Sequence, residues 1–305
     1  MILKIGRLLL RYGLFIEDVF LDAFYYFNYS TLKIRKNNNE NLSAEILAHV
    51  HSVERAFSLK NPRETFGVEL INSLRKLIHK IDDKSKYQYE LKIFQSAIIE
   101  YNKYHNIKED NISARKPFKY YRHIKSNHKS LYESIVKDRH SIRNFGDVTI
   151  SNLSVLKAIT MAKNISPSVC NRQGWEIVLV KDYQSVTDVL NLQNGNAGIE
   201  NIQNIIVVCS TITSFFGSNE RNQPYVDGGI FLMSLLNSLH YYNVASCTLN
   251  WAVDRKQDSK LKKLLDIDNS RLIIALVGLG SYNTKEIKIA SSYKKPLKSI
   301  LKIVG

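Results

Sequence analysis

Apolar residues recur at helical spacing in the first third of the chain. Four of them form one stripe at intervals of three or four positions: Ile46, Val50, Val53 and Phe57. Ser43, just before this stripe, is of the residue type that caps helix N-termini, because its hydroxyl can accept a hydrogen bond from a free main-chain N–H. Similar patterns over residues 68–81 and 87–104 predict that residues 1–110 are mostly helical.

The second part of the chain alternates between apolar runs and helical patterns. Three short runs rich in β-branched residues predict buried strands: 176–180 (EIVLV), 204–209 (NIIVVC) and 271–277 (RLIIALV). Gly278 and Gly280 are expected to end the third strand. Ser151 is expected to cap a helix with apolar positions at 153, 156, 159 and 162, and residues 227–242 have the pattern of a long helix. This alternation favours an α/β core.

The distribution of glycine separates the two parts. Three of the 13 glycines precede residue 131 and ten follow it. Between the two parts, the polar stretch 111–119 contains Pro117 and is predicted to be a linker. We therefore expect two domains: a helical N-terminal extension over residues 1–130, and a turn-rich domain over residues 131–305.

Net charge and apolar run lengths limit the possible partners and location. The chain carries 43 basic and 28 acidic residues, a formal charge of +15, which favours acidic partners such as phosphates, nucleic acid or anionic lipid. The basic residues are dispersed and match no nucleic-acid-binding module, so no nucleic-acid partner is expected. No apolar run approaches the roughly 20 residues of a membrane span. We expect a cytoplasmic protein that packs its first helix on protein rather than on a membrane surface.

Two clusters carry candidate chemistry. In the first, Arg139 to Phe145 (RHSIRNF), two guanidinium groups flank a hydroxyl and could grip a phosphate or another planar anion; the alternative is a solvated, charged helix end. The second, Ser166 to Trp175 (SPSVCNRQGW), combines turn formers with two amides that suit the edge of a heterocycle; the alternative is an ordinary loop. No catalytic triad, catalytic dyad or metal-ligand spacing is recognisable, so we predict no catalytic side chain and no metal site.

In this order and spacing, the two clusters resemble motifs of the FMN-dependent nitroreductase family. RHSIRNF is similar to that family's opening flavin-phosphate signature, and SPSVCNRQGW to its P-S-x-x-N-x-Q-P-W stretch. Three later pieces follow in the family's order: 225–229 (YVDGG), 245–251 (ASCTLNW) and 291–297 (SSYKKPL). The resemblance covers about residues 131–305. It implies an α/β (α+β) fold with a mixed sheet flanked by helices, preceded here by the helical extension.

The resemblance also implies which residues would contact FMN. Four would hold the phosphate, the ribityl chain and the pyrimidine side: Arg139, His140, Ser141 and Arg143. Three would line the flavin, the first two through their backbone and the third through its amide: Pro167, Ser168 and Asn171. Leu249 and Asn250 would lie where a loop of the family approaches flavin N5, and Lys294 where a phosphate-binding arginine is usual. Two departures stand out, because Gly174 replaces a proline and Lys294 replaces that arginine.

The function that the resemblance implies is an FMN-dependent oxidoreductase. It would pass reducing equivalents from NAD(P)H through the flavin to an electron-poor, small-molecule acceptor, and it would be a homodimer with FMN held between subunits. A relative that uses FMN to dehydrogenate a bound substrate would ignore NAD(P)H. The alternatives are a flavin-binding or flavin-free scaffold without redox activity and, less favoured, a basic nucleic-acid-binding protein.

Overall fold

The computed structural model describes residues 2–30, 39–57, 67–81, 84–85, 87–105, 127–283 and 296–305. The helices of this part of the chain are α1 (Ile2–Tyr29), α2 (Asn39–Phe57), α3 (Val68–Ile78), α4 (Gln88–Tyr104), α5 (Asn127–Asp138), α6 (Asn152–Ile165), α7 (Tyr183–Leu192), α8 (Gln223–Tyr241) and α9 (Arg255–Leu264). Its strands are β1 (Phe145–Gly146), β2 (Trp175–Val180), β3 (Asn204–Thr211), β4 (Ala245–Asn250) and β5 (Arg271–Tyr282). Of the helices described here, none is both long and apolar enough to cross a bilayer.

The N-terminal helices pack around a core of their own. Helices α2, α3 and α4 bury apolar side chains against one another, Ile46 and Leu74 among them. The prediction of a mostly helical first part is therefore confirmed for the residues described. The predicted cap is wrong, because α2 begins at Asn39 and Ser43 lies inside it. There the Ser43 hydroxyl donates to Glu90 Oε1 of α4 at 2.7 Å. The predicted linker, 111–119, lies outside the described residues.

The five strands form one antiparallel sheet, which confirms the predicted fold class. The order is β2-β3-β5, and both β4 and β1 pair with the other edge of β5. The parallel pairing in the described sheet region is an isolated bridge between Asn144 and Glu200. Strand β5 is therefore the central strand, which pairs with β3 along one edge and with β4 and β1 along the other.

Strand β5 runs past the two glycines that were expected to end it. A Cβ on Gly280 would lie 2.6 Å from Phe145 Cδ1, a distance that real Cβ atoms do not adopt. A Cβ on Gly278 would lie 3.2 Å from Ile202 Cδ1. These glycines therefore allow side chains to pack directly on the strand rather than breaking it, and the prediction of the strand's end is wrong.

Helices cover both faces of the sheet. Helices α6 and α8 lie on one face, and α7 and α9 contribute to the core on the other. The predicted cap of α6 is confirmed, since Ser151 Oγ accepts from the Ser154 N–H at 3.4 Å. Its predicted apolar face is right at Ile159 and Ala162, which pack into the core, and wrong at Leu153 and Leu156, which are exposed. The residues of α6 that are buried are Val155, Ala158 and Ala162.

The predicted domain boundary falls inside a helix. Residues 130 and 131 both belong to α5, so a division into two domains would come before Asn127. The helical core around α2 to α4 and the two cores of the sheet are distinct clusters. The division into residues 1–130 and 131–305 stays a prediction, and the structure suggests shifting its boundary.

Candidate functional site

The segment from Arg139 to Phe145 lies where the chain leaves α5 and joins the sheet. The Ile142 N–H donates to the Ser246 carbonyl of β4 at 2.9 Å, and Phe145 pairs with Tyr282 at the end of β5. These main-chain bonds fix the segment along the sheet edge. The four predicted phosphate-side residues of this segment therefore share one end of the sheet, which we call the Arg139 end: Arg139, His140, Ser141 and Arg143.

Arg139 has an unsatisfied donor at this end. Its Nε is buried and has no hydrogen-bond partner among the described residues. A buried donor without a partner costs free energy, on the order of 1–3 kcal/mol. An anion that accepted from it would recover that cost. The residues present at the Arg139 end therefore fit the phosphate group of FMN.

A histidine and a tyrosine lie close to each other at the Arg139 end. His240 Nδ1, near the end of α8, lies 2.7 Å from the Tyr282 hydroxyl. Burial lowers the pKa of His240; the Asp138 carboxylate opposes this, and the charges of Arg139 and His140 add to it. Burial raises the pKa of Tyr282, and the charge of Arg139 opposes this increase. A neutral His240 therefore keeps this end from gaining a further positive charge at neutral pH.

Arg143 faces solvent beside the start of β4. Burial raises the pKa of the Cys247 thiol on β4, and the charge of Arg143 opposes this rise, so the two side chains act on each other electrostatically. The Arg143 guanidinium is thus available to an external ligand, whereas Arg139 is half-buried.

The second predicted cluster is a tightly bonded loop between α6 and β2, which we call the Ser168 loop (residues 166–175). Ser168 Oγ accepts from the Gln173 N–H at 2.9 Å, which closes the turn. Three residues have left-handed backbone conformations, with φ of 48°, 52° and 54°: Cys170, Asn171 and Gln173. Asparagine tolerates this conformation better than most residues, which accounts locally for Asn171.

Asp227 of α8 holds the Ser168 loop through hydrogen bonds. Its Oδ2 accepts from the Val169 N–H at 3.0 Å, and its Oδ1 accepts from Gln223 Nε2 at 2.8 Å. Its carbonyl accepts from Trp175 Nε1 at 3.3 Å. Asp227 is 1% exposed, and burial raises its pKa against the opposing effect of these hydrogen bonds. Our sequence reasoning gave this residue no role; the signal was a single acid in the apolar helix pattern.

Arg172, within the loop itself, also holds the loop through hydrogen bonds. Its Nε donates to the Val169 carbonyl at 3.1 Å, and its Nη2 donates to Glu220 Oε1 at 2.8 Å. Its guanidinium also lies over the Phe216 ring, 4.1 Å from the centroid. The loop is therefore rigidly held by its own chain, with Pro167 exposed and Ser168 and Asn171 half-buried.

The departure at Gly174 has a packing reason. A Cβ at this position would lie 2.8 Å from Ser214 Cβ. The proline found in the family's motif carries a Cβ and would not fit without a movement of Ser214. The glycine therefore belongs to the local packing of this chain and does not loosen the turn.

Of the remaining predicted residues, two belong to the described part of the chain. Leu249 and Asn250 belong to strand β4 rather than to a loop. Leu249 is 3% exposed and part of the core, and its predicted flavin contact stays a prediction. Asn250 is exposed, and its carbonyl accepts from Gln193 Nε2 at 2.9 Å. Lys294 lies outside the described residues.

The Arg139 end and the Ser168 loop lie at opposite ends of the sheet. Phe145 pairs with Tyr282, whereas Trp175 pairs with Ser210, which pairs with Leu272. Ten residues of β5 separate Leu272 from Tyr282, or about 30 Å of strand. Helix α8 gives a second measure, since Asp227 holds the loop and His240 contacts Tyr282, thirteen residues or about 20 Å further along the helix axis. One chain therefore does not bring the two clusters together.

The fold matches solved structures of nitroreductases. A Bacillus subtilis protein assigned as a nitroreductase has a TM-score of 0.50 at 14% identity, over 58% of this chain and all of its own. A Desulfovibrio desulfuricans protein with the same assignment, solved in complex with FMN, has a TM-score of 0.48 at 17% identity, over 57% of this chain and 96% of its own.

An FMN-dependent nitroreductase of Clostridium difficile has a TM-score of 0.44 at 19% identity, over 52% of this chain and 92% of its own. No protein-family model and no curated protein matches the sequence. The chain thus has the nitroreductase fold over somewhat more than half of its length, together with further segments outside the matched part.

Proposed function

We propose that this protein is an FMN-dependent oxidoreductase. The observation that carries the proposal is the buried, unpaired Nε of Arg139 in a segment of nitroreductase-like sequence, at the edge of a sheet with the nitroreductase fold. When bound, FMN would take up a hydride from NAD(P)H and supply reducing equivalents to an electron-poor organic acceptor.

The residues of the Arg139 end would bind and orient the cofactor. Arg139 would donate to the phosphate through the nitrogen that has no partner, and His140 and Ser141 lie beside it on the same segment. Arg143 is exposed and cationic, and it would stabilise negative charge on the pyrimidine side. No acid–base pair of the protein is required for this role, because the hydride chemistry belongs to the cofactor.

The Ser168 loop would supply the opposite wall of the same site from a second subunit. Asp227 and Arg172 hold this loop in place, so the backbone at Pro167 and Ser168 and the amide of Asn171 would be preorganised for the flavin. The two clusters are about 20–30 Å apart within one chain, measured along α8 and β5. A site that uses both clusters therefore needs two chains.

Helix α8 offers a surface for such a dimer. Four exposed apolar residues recur on it at intervals of one or two turns: Val226, Ile230, Met233 and Tyr241. Asn237 falls on the same stripe, and its buried Oδ1 has no hydrogen-bond partner among the described residues. If two copies of α8 pack antiparallel, the Asp227 end of one copy lies beside the His240 end of the other. This arrangement would pair one chain's Ser168 loop with its partner's Arg139 end, twice per dimer.

The absorption spectrum of the purified protein tests the proposed function. We expect flavin bands in the near ultraviolet and blue, released as FMN on denaturation, which bleach when NADH or NADPH is added without oxygen. Reoxidation by an added nitroaromatic compound would show transfer to an electron-poor acceptor. A colourless protein that takes up no FMN on incubation would contradict the proposal. A yellow protein that neither cofactor bleaches would exclude the NAD(P)H-dependent reaction.

A further inference from the structure

Helix α1 has one face on the body of the protein. Near its end, Tyr26 is buried in a cluster with Ile212 and Phe215. Earlier in the helix, Glu17 Oε1 accepts from Arg255 Nη1 of α9 at 3.0 Å. The body therefore holds α1 at two points, which lie about 14 Å apart along the helix axis.

The opposite face of α1 is apolar and exposed. Large apolar residues recur on it at intervals of three or four positions, and each is more than half exposed: Ile16, Val19, Phe20, Phe24 and Phe27. Helical periodicity places Ala23 on the same side, so no polar residue interrupts this face, which we call the Phe20 face. A contiguous apolar surface that is exposed in one chain marks a contact with a partner.

The acidic side chains of α1 are directed towards α9 rather than towards the Phe20 face. Glu17 is paired with Arg255. Burial and the charge of Asp18 raise the pKa of Asp22, and the charges of Arg255 and Lys262 of α9 oppose this rise. Asp22 therefore lies on the α9 side of the helix. The Phe20 face is left without negative charge of its own.

The surroundings of the Phe20 face are basic. Helices α1 and α9 together carry eight basic and four acidic residues, and ion pairs among them do not change this excess. The first half of α1 has no acidic residue and three basic ones: Lys4, Arg7 and Arg11. On α9, three exposed lysines follow one another at intervals of four and three positions: Lys256, Lys260 and Lys263. This part of the molecule is therefore complementary to a negatively charged surface.

An anionic lipid surface matches both the apolar face and the charge. An uninterrupted apolar helix face can enter the boundary between lipid headgroups and acyl chains, and basic residues close to it are attracted to anionic headgroups. A protein partner would ordinarily add polar contacts, about one hydrogen bond per 100–200 Å² of interface. The side chains of the Phe20 face contain no hydrogen-bond donor or acceptor, which favours lipid over protein.

We propose that the Phe20 face of α1 binds the surface of an anionic lipid bilayer, with the helix lying in the plane of the headgroups and the body of the protein on its other side. The sequence led us to expect α1 on protein rather than on a membrane surface. The proposal keeps that contact for the side of Tyr26 and assigns lipid to the opposite side. It does not depend on flavin binding, because none of the residues proposed to contact FMN belongs to α1 or α9.

Flotation of the full-length protein with lipid vesicles tests this proposal. The vesicles consist of phosphatidylcholine alone or of phosphatidylcholine mixed with phosphatidylglycerol. We expect the protein to float with the mixed vesicles, to float less with phosphatidylcholine alone, and to lose part of its binding as the salt concentration rises. No flotation with the mixed vesicles, or equal flotation with both kinds, would overturn the proposal.

Two double substitutions locate the lipid contact. Phe20→Ser with Phe24→Ser removes two rings from the Phe20 face without changing a charge, and we expect binding to the mixed vesicles to weaken by at least about tenfold. Leu153→Ser with Tyr183→Ser removes two exposed apolar side chains from α6 and α7 and should bind as the wild type does. Wild-type binding by the α1 variant, folded as judged by circular dichroism, would contradict the proposal.

Light scattering coupled to gel filtration, without lipid, tests a second copy of this chain as the occupant of the Phe20 face. The variant with Phe20→Ser and Phe24→Ser should keep the mass of the wild type. A lower mass would show that this face is an interface between copies, and the lipid proposal would be wrong.

If that variant does not fold, Phe24→Trp provides a second test, because it retains a large apolar ring on the Phe20 face. Mixed vesicles that contain brominated phosphatidylcholine should quench the added indole, beyond any quenching of the native tryptophans in the wild type. Leu153→Trp, at an exposed position on α6, should show no added quenching. Equal quenching in both variants, or none in Phe24→Trp, would reject lipid contact at α1.

Discussion

The two ends of the sheet satisfy their polar groups in different ways. At the Ser168 loop, Asp227 accepts two hydrogen bonds through its carboxylate, so the loop's turn is complete within one chain. At the Arg139 end, Arg139 Nε is buried without a partner and Arg143 faces solvent. Each end nevertheless leaves one arginine nitrogen without a partner among the described residues, Arg172 Nη1 at the loop and Arg139 Nε at the other end. The difference is the second, solvent-facing guanidinium of Arg143, and for this reason the proposed flavin site takes its charged donors from the Arg139 end.

A single helix connects the two ends and gives them opposite titration behaviour. Asp227 lies near the start of α8 and His240 near its end. Burial raises the pKa of the acid and lowers the pKa of the base, so both groups favour their neutral forms. Because α8 is rigid, it also fixes the separation of the two clusters, which no side-chain rearrangement in one chain can remove.

The largest effect is expected from removing the cationic pair of the Arg139 end. The double substitution Arg139→Ala with Arg143→Ala removes the forked donors proposed for the phosphate and pyrimidine sides, and we expect it to abolish flavin retention without unfolding the protein. The measurement is flavin absorbance per chain after gel filtration, with circular dichroism for folding. Arg255→Ala, which removes an exposed ion pair to Glu17, is the control. Wild-type flavin content in the double variant would reject the phosphate site.

The next effect concerns the dimer that would join the two ends. Ile230→Glu places a charge at the centre of the exposed stripe on α8, and we expect it to shift the protein from dimer to monomer and to lose flavin with it. Light scattering coupled to gel filtration gives the mass. Tyr183→Glu, at a more exposed apolar position on α7, should change neither. If Ile230→Glu is a monomer that still binds flavin, cofactor binding does not require the dimer, and the proposal of a site shared by two chains is wrong.

Asp227→Ala should destabilise the protein at the Ser168 loop. The change leaves the Val169 N–H and the Gln223 amide without acceptors, and a cost on the order of 3 kcal/mol is expected in the free energy of unfolding. Urea unfolding measures it. Asp227→Asn retains one acceptor oxygen and should cost about half as much. An exposed acid, Asp147→Ala, should change the stability by less than about 1 kcal/mol. Equal stability of all three variants would show that Asp227 does not hold the loop.

The smallest effect is a pH dependence of opposite sign at the two ends. The lowered pKa of His240 means that below about pH 6.5 the unfolded chain takes up a proton more readily, so acid should destabilise the wild type relative to His240→Gln. The raised pKa of Asp227 means that the folded carboxyl is protonated first. As the pH falls towards 3.8, the wild type should therefore gain stability relative to Asp227→Asn. Unfolding curves at several pH values measure both differences, and differences of the same sign would refute this assignment.

The sequence predicted the elements better than their ends and contacts. The strands at 176–180 and 204–209 were visible because they are continuous runs rich in β-branched residues. The predicted burial is confirmed for β3, whereas β2 is half-buried except at Val180. Strand β5 was predicted too short, because a glycine that gives room to Phe145 cannot be told from a glycine that ends a strand. Strand β4 was missed as a strand, since ASCTLN has mixed polarity and its pairing partner is distant in sequence.

The candidate site shows the same limit. Local motifs identified Arg139 to Phe145 and Ser166 to Trp175, because charge, turn and amide chemistry are visible in short windows. Their separation within one chain follows from the register of β5 and the length of α8, which no short window contains. The role of Asp227 was equally hidden, since its partner Val169 is 58 positions away.

The most direct test of a flavin site shared by two chains is a hybrid dimer. One chain carries Arg139→Ala with Arg143→Ala, and the other carries Pro167→Asp with Asn171→Gly, in which glycine preserves the left-handed backbone at 171 while removing the amide. The two are co-expressed with different tags and purified in tandem. If the site is shared, each variant alone lacks flavin, and the hybrid regains one intact site and binds about one FMN per two chains. If each chain builds its own site, the hybrid stays colourless, and the account is wrong.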